Sequence, residues 1–251
     1  MQTRIVILAA GKGTRMRNGD LPKVLTPFRG RPIIRHLLDA VETSGVDPRP
    51  VIVVGYGADK VRNALGDDYE YVVQAEQLGT GHAVICAESA LKDDAQNIIV
   101  LYGDHPFVRA DTISSLLALH RQNACPISML TVRLDDFEEW RAPFADFGRI
   151  IRDSTGSITG IAEAKDATPA ERAIHEVNPA FFCFDAAWLW AHVRLITTGN
   201  AKGEYYLTDL VSLAIREGAC IASAPIAPQE SIGINTPEHL EIAGGLPDGT
   251  L

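Results

Sequence analysis

Near the start of the chain, Gly11-Lys12-Gly13-Thr14-Arg15 follows directly on the apolar run from Ile5 to Leu8. Two glycines let a backbone turn through positive φ and approach a ligand closely, so that successive N–H groups converge on phosphate oxygens. Lys12 and Arg15 add charge of the matching sign. The loop fits neither of two common phosphate patterns. A P-loop needs G-x-x-x-x-G-K-[ST], and a dinucleotide fingerprint needs a third glycine where Met16 stands. The stretch from Gly55 to Lys60 fails the second pattern in the same way, at Lys60. On its own residues the first loop is a phosphate cradle or an ordinary glycine turn, and the two stay level.

Other chemistry-bearing residues follow apolar runs. Lys23 comes after Pro22, whose fixed φ stiffens the local chain, so it is either a directed point charge or a solvated lysine. Asp104 closes the run Asn97–Tyr102 after Gly103. A carboxylate there is costly to desolvate without a partner, so a hard cation and a cap of the next turn fit equally well. His105 beside it reads as a turn residue. Gln74 can read a base edge through its paired donor and acceptor, and Gly79 and Gly81 leave room for a flat ring. Asn235 precedes a helix starting near Thr236 and Pro237, and capping is its simpler reading.

The elements that must position these residues alternate. "RIVILAA", "PVIVVGYG", "YEYVVQ", "NIIVLYGD" and "CPISMLTVRL" read as buried strands. Between them, "PIIRHLLDAVETSG", "ADKVRNALG", "GHAVICAESALK" and "ADTISSLLALHRQN" read as helices. This order predicts an α/β fold, a doubly wound, mostly parallel sheet with helices on both faces. Ligands of such sheets bind beyond the carboxyl ends of the strands, where the residues named above fall. After about Asp135 the pattern changes. "GRIIRDSTGSITGIAE" predicts a hairpin, "NPAFFCFDA" a strand, and "AWLWAHVRLI" and "YLTDLVSLAIREG" helices. The expectation is one domain over 1–251, divided near residue 110, whose second half adds a β-rich, lid-like subregion.

Composition narrows the class. The chain has 251 residues, 46% of them hydrophobic and 22% charged, as in an ordinary globular protein. No apolar stretch approaches the roughly 20 residues needed to span a bilayer. The N-terminal residues lack a basic flank and a cleavage site, so the expected location is cytoplasmic, with no membrane partner. A net charge of −9 argues against nucleic acid. Yet Lys12, Arg15, Arg17, Lys23, Arg29, Arg31 and Arg35 lie against one acid, Asp20, which suggests a small anionic ligand. Cys86, Cys125, Cys183 and Cys220 are scattered without a C-x-x-C pair, and reduced, mostly buried thiols are expected.

Taken in order, "LAAGKGTRM", "LPKVL", "QAEQLGTGHAV", "LYGD", "GRI", "EAKDAT", "GEYYLTDL" and "GIN" resemble the sugar-nucleotide pyrophosphorylases. Within that family the chain is most similar to the uridyltransferase domain of bacterial N-acetylglucosamine-1-phosphate uridyltransferases. The resemblance spans nearly the whole chain. It implies a Rossmann-like nucleotidyltransferase fold and Mg2+-dependent synthesis of a UDP-sugar and pyrophosphate. The substrates it implies are UTP and a sugar-1-phosphate, N-acetylglucosamine-1-phosphate first. It further implies that Ala10, Gly11, Lys12 and Gly13 hold the triphosphate, with Arg15 and Lys23 as catalytic cations. Gln74, Gly79 and Thr80 would hold uracil. Tyr102, Gly148, Glu163, Asn178, Tyr206 and Thr208 would face the sugar, and Asp104 and Asn235 would ligate Mg2+.

The chain departs from the family pattern at His105, where a small apolar residue is usual. It departs again at Asn178-Pro179-Ala180, where the pattern is N-[ST]-G. The hexapeptide repeats of an acetyltransferase β-helix are absent, so neither acetyl-CoA chemistry nor the trimer built by that domain is expected. Two other readings are a uridyltransferase for another hexose-1-phosphate and a non-catalytic UDP-sugar-binding protein. An NAD-linked oxidoreductase would need the missing third glycine.

Overall fold

The computed structural model describes residues 2–247; residue 1 and residues 248–251 of the expected domain lie outside the described residues. The first half alternates as expected: β1 (Thr3–Ala9), a short ribbon of β2 (Pro27–Phe28) and β3 (Arg31–Pro32), α1 (Ile33–Ser44), β4 (Val51–Val54), α2 (Ala58–Leu65), β5 (Glu70–Val73), α3 (Thr80–Leu91), β6 (Asn97–Tyr102) and α4 (Ala110–Gln122). There follow β7 (Ile127–Arg133), β8 (Gly148–Arg152), β9 (Ile158–Ala162), α5 (Pro169–Arg172), β10 (Glu176–Asn178), β11 (Phe182–Asp185), α6 (Ala186–His192), α7 (Asp209–Arg216), β12 (Ile221–Pro225) and α8 (Pro237–Gly244).

Ten strands form one mixed sheet in the order β5-β4-β1-β6-β11-β7-β10-β8-β9, with β12 alongside β7. The strands β5, β4, β1 and β6 are parallel, as is β12 to β7. Pairings through β11, β10, β8 and β9 are antiparallel. The sheet is therefore the expected α/β core with a β-rich extension.

Both faces of β1 are buried, which is why its sequence lacks polar alternation. Ile5, Ile7 and Ala9 pack beneath α1, α2 and α4, with Ile34, Leu37, Val61 and Leu116. Val6 and Leu8 face α3, α6 and α7, with Val84, Ala87, Leu189 and Leu210. A third cluster, around Phe28, Phe107, Phe144, Val177 and Ile234, lies under the extension. The amphipathic spacing of α1 ends at Gly45, which takes the left-handed conformation at φ 64°.

One expectation is overturned. Cys125 and Cys220 are not free thiols but a disulfide with 5.0 Å between their Cα atoms. The cause is topological. Each cysteine lies just before one of two parallel neighbours, β7 and β12, whose register begins at Ile127 and Ile221. The 95 residues separating them in sequence hide that proximity. Cys86 and Cys183 are free, as expected.

Candidate functional site

A cleft of about 430 Å³ lies at the carboxyl ends of β1 and β6 and runs across to β8 and β10. Its walls bring together Ala10, Gly11, Lys23, Gln74, Gly79, Thr80, Tyr102, Asp104, Gly148, Glu163, Asn178, Tyr206, Thr208 and Asn235. Lys12, Gly13 and Arg15 are not among the lining residues. Lys12 and Arg15 are exposed on the loop after β1. The Lys12 ammonium lies over the Tyr56 ring, and Arg15 pairs with Asp146 of the cleft wall at 3.8 Å. Gly13, at φ +65°, packs on the stem of Lys23, whose Cβ would lie 2.5 Å from a Cβ added there. Any side chain at residue 13 would push Lys23 out of position.

The centre of the cleft is a charge cluster. Lys23 Nζ donates to Asp104 Oδ2 at 2.5 Å and to Asn235 Oδ1 at 2.8 Å. Burial works to raise the Asp104 carboxyl, but the Lys23 ammonium and the neighbouring His105 outweigh it. Asp104 is held well below the usual carboxylate range. Asn235 is not a helix cap: Thr236 caps α8, its hydroxyl accepting from the His239 N–H. Asp104 does not cap the turn after β6 either, because its oxygens face Lys23 and His105.

His105 is a wall residue rather than a solvent-facing turn. It is buried edge-on against Phe181 and Tyr102, with Nδ1 3.3 Å from Asp104 Oδ1 but without hydrogen-bond alignment. Burial, followed by the charges of Glu163 and Asp104, pushes the Tyr102 phenol well up, so it keeps its proton.

On one side of the cluster, the buried Gln74 amide nitrogen donates to the Gly79 carbonyl and to His82 Nδ1, both at 3.0 Å. Among the described residues its Oε1 takes no hydrogen bond. Gly79 has φ +112°, and a Cβ there would lie 2.6 Å from the Tyr205 carbonyl oxygen. That close approach lets the loop clasp the later segment: Tyr205 N–H donates to the Leu78 carbonyl, Gly81 N–H to the Tyr205 carbonyl, and Leu207 N–H to Thr80 Oγ1.

Elsewhere in the lining, Thr208 Oγ1 donates to Glu163 Oε1 at 2.7 Å, and Asn178 Oδ1 accepts from the Ala180 N–H at 2.8 Å. Burial, with the charges of Asp166, Glu163 and Glu204, pushes the Tyr206 phenol up to about 12. Sequence reasoning missed Gln77, Asp146, Phe147, Lys202 and Glu204 as lining residues. Gln77 and Glu204 lie inside or beside stretches already singled out. Asp146 ends, and Phe147 follows, an irregular 3-10 segment, Glu139–Asp146, that has no periodicity to read.

The donor set suits a hard divalent cation. Asp104 Oδ2 and Asn235 Oδ1 are oxygens already converging on one positive charge, and Mg2+ takes few protein ligands, completing its shell with water and phosphate. No group of three His, Cys, Asp or Glu that could hold a metal occurs among the described residues, which leaves this pair as the candidate. Among those residues no helix is long and apolar enough to cross a membrane.

Comparison with known proteins agrees with the geometry. The model of the MobA-like NTP transferase domain matches residues 5–189. The bifunctional protein GlmU of Heliobacterium modesticaldum is 41% identical over 232 residues, 92% of this chain and 49% of that protein. The GlmU of Ralstonia nicotianae is 44% identical over 238 residues, 94% of this chain and 50% of that one. That of Desulfotalea psychrophila is 39% identical over 242 residues, 95% and 68%. The chain thus spans about half the length of most of these relatives. A Bacillus anthracis protein described as a glucose-1-phosphate thymidylyltransferase, crystallised with sucrose, shares the fold. Its TM-score is 0.75 at 18% identity, over 98% of this chain and 96% of that one.

Proposed function

From the premise that this chain belongs to the MobA-like NTP transferase family, we propose that it is a sugar-1-phosphate uridylyltransferase. Its substrates on this reading are UTP and N-acetylglucosamine-1-phosphate, joined within a single domain with release of pyrophosphate. The observation that carries the reading is the shared cleft. One cleft is lined by Lys23, Asp104 and Asn235, by Gln74, Gly79 and Thr80, and by Glu163, Asn178 and Thr208. A nucleotide and a sugar phosphate bound there together would share the charge cluster.

The free Gln74 Oε1 suits the N3–H of uracil, because its amide nitrogen is already engaged by Gly79 and His82. Glu163, oriented by Thr208, suits sugar hydroxyls as an acceptor. The sugar phosphate oxygen attacks the α-phosphorus of UTP. A new P–O bond forms, the bond between the α-phosphorus and the bridging oxygen breaks, and pyrophosphate leaves with the electron pair. The attacking oxygen is anionic at neutral pH, so no general base is required. The protein's task is positioning and charge neutralisation. Lys23, fixed by Asp104 and Asn235, would face the reacting phosphates, while Arg15, exposed on its loop, can exchange Asp146 for a phosphate oxygen. When bound by Asp104 and Asn235, Mg2+ would supply charge neutralisation on the phosphoryl oxygens.

The test is pyrophosphate release from UTP with N-acetylglucosamine-, glucosamine-, glucose- and galactose-1-phosphate, with and without Mg2+. The expected result is Mg2+-dependent release that needs a sugar phosphate. Tight UDP-sugar binding without turnover would instead favour a binding protein. A preference for a hexose-1-phosphate other than N-acetylglucosamine-1-phosphate is the second reading, and the backbone at Ala180 favours it.

A further inference from the structure

Four non-glycine residues have positive φ among the described residues: Arg17, Arg29, Glu139 and Ala180. Of these, Ala180 alone lines the cleft. Its φ of +66° is a left-handed conformation that an alanine Cβ opposes and that a glycine would adopt freely. Strained backbone beside a ligand site is an observation from which a functional role can be argued.

The strain has a topological origin. Along β7, Val132 pairs with Val177 of β10 and Met129 pairs with Phe182 of β11. Residues 178–181 therefore face only residues 130 and 131, and the outer strand carries a bulge where it passes from one part of the sheet to the other. Bulges re-aim side chains and recur beside active sites, commonly with a glycine in the left-handed position. Here three features fix the turn. Pro179 has no N–H and a restricted φ, Ala180 N–H is held by Asn178 Oδ1 at 2.8 Å, and the Phe181 carbonyl accepts from the Leu130 N–H at 3.1 Å. The bulge thus fixes Ala180 in the cleft wall, two residues from Asn178, with its side chain also packed against the buried cluster around Val6, so that it cannot move aside without breaking the turn.

We propose that Ala180 is a specificity-determining residue whose fixed methyl limits the size of the sugar substituent accepted beside Asn178. This rests on the sugar-1-phosphate reading given above. The methyl disfavours a bulky ring substituent such as an acetamido group relative to a hydroxyl. One methylene-sized contact in a pocket changes discrimination by about 10-fold or more.

Two substitutions compatible with positive φ test it from opposite directions. Ala180→Gly removes the methyl, and Ala180→Asn enlarges the side chain without a worse backbone fit. The readout is the ratio of kcat/KM for N-acetylglucosamine-1-phosphate to that for glucose-1-phosphate, with KM for UTP measured alongside. Binding of UDP-N-acetylglucosamine and UDP-glucose by calorimetry gives the same ratio without turnover. Glycine is expected to raise the ratio about 10-fold and asparagine to lower it by at least as much, with KM for UTP unchanged. Equal changes for both sugars, or none, in both variants while the wild type turns over would overturn the role of Ala180 and leave the uridylyltransferase reading standing. A wild-type protein that neither turns over nor binds either UDP-sugar would overturn both.

Discussion

In the half of the sheet built from β5, β4, β1 and β6, every strand runs the same way, and the residues that follow β1, β5 and β6 line the cleft. In the half built from β11, β7, β10, β8 and β9, neighbours alternate in direction and the cleft residues come from strand ends, a bulge and the segment before α7. The first arrangement gives shared strand ends, so Ala10, Gln74 and Asp104 converge because the hydrogen-bond register makes them converge. In the second, the antiparallel register of β8 with β9 and β10 brings Glu163 and Asn178 level with Gly148, but Thr208 joins them only through its hydrogen bond to Glu163 and the clasp of residues 205–207 onto residues 78–81. A rigid parallel edge suits the invariant part of the reaction, the phosphates. A surface assembled from local turns can change one residue at a time, which suits the part that distinguishes sugars.

Breaking the parallel edge should cost most. Asp104→Asn removes the negative charge that holds Lys23 and would face a cation, and should lower kcat by about 1000-fold or more. Far-UV circular dichroism should be unchanged, and near-normal kcat would remove Asp104 from the metal role. Lys23→Ala should lower kcat by about 10- to 1000-fold, with KM for the sugar phosphate less affected. An unchanged kcat would return Lys23 to the status of a structural partner for Asp104.

The alternating half should respond differently. Thr208→Val leaves Glu163 without its orienting hydroxyl, and should raise KM for the sugar phosphate about 10-fold while leaving KM for UTP alone. Equal rises in both constants would mean that the two halves are not separable as described.

The smallest effect concerns stability rather than turnover. Burial depresses the His120 imidazole in the folded state, so below about pH 6.5 the unfolded chain takes a proton that the folded chain refuses. Glu88 and Glu176 are also depressed. Burial opposes this, but Arg194 and Lys92 outweigh it at Glu88, and Arg152 and Arg133 at Glu176. Their contribution is present above the ordinary carboxylate range and is lost as pH falls through their lower folded values. Asp209, raised by burial and by Glu163 and Asp166, acts with the opposite sign but is outnumbered. Thermal melting from pH 8 to pH 3 should show Tm declining below about pH 6.5 and more steeply below about pH 4.5. A flat Tm to pH 3 would contradict these directions.

Legibility in the sequence followed the same division. β1, β4 and β6 were readable because burial on both faces makes each a continuous apolar run, and each run ends in a glycine or an acid. The ribbon at Pro27–Pro32, the three-residue β10 and the short β12 were not, since their pairing is set by distant partners rather than by local pattern. The same holds for Cys125 and Cys220, which only the parallel register of β7 and β12 brings together. Among site residues, the residues alone left Asp104 between a cation ligand and a cap, and made Asn235 a cap. The bond from the His239 N–H to Thr236, and the grip of Lys23 on both side chains, exclude the caps. Glu163, Asn178 and Thr208 came to notice through the family resemblance, because nothing in their spacing marks a shared site.

The central claim is transfer of a uridylyl group within this cleft, and its most direct test follows the α-phosphorus. With UTP labelled at the α-phosphate, N-acetylglucosamine-1-phosphate and Mg2+, the label should appear in a UDP-sugar with one equivalent of pyrophosphate released. Omitting the sugar phosphate should stop both. Label appearing in UMP, or label remaining in UTP although the UDP-sugar binds tightly, would contradict the assignment.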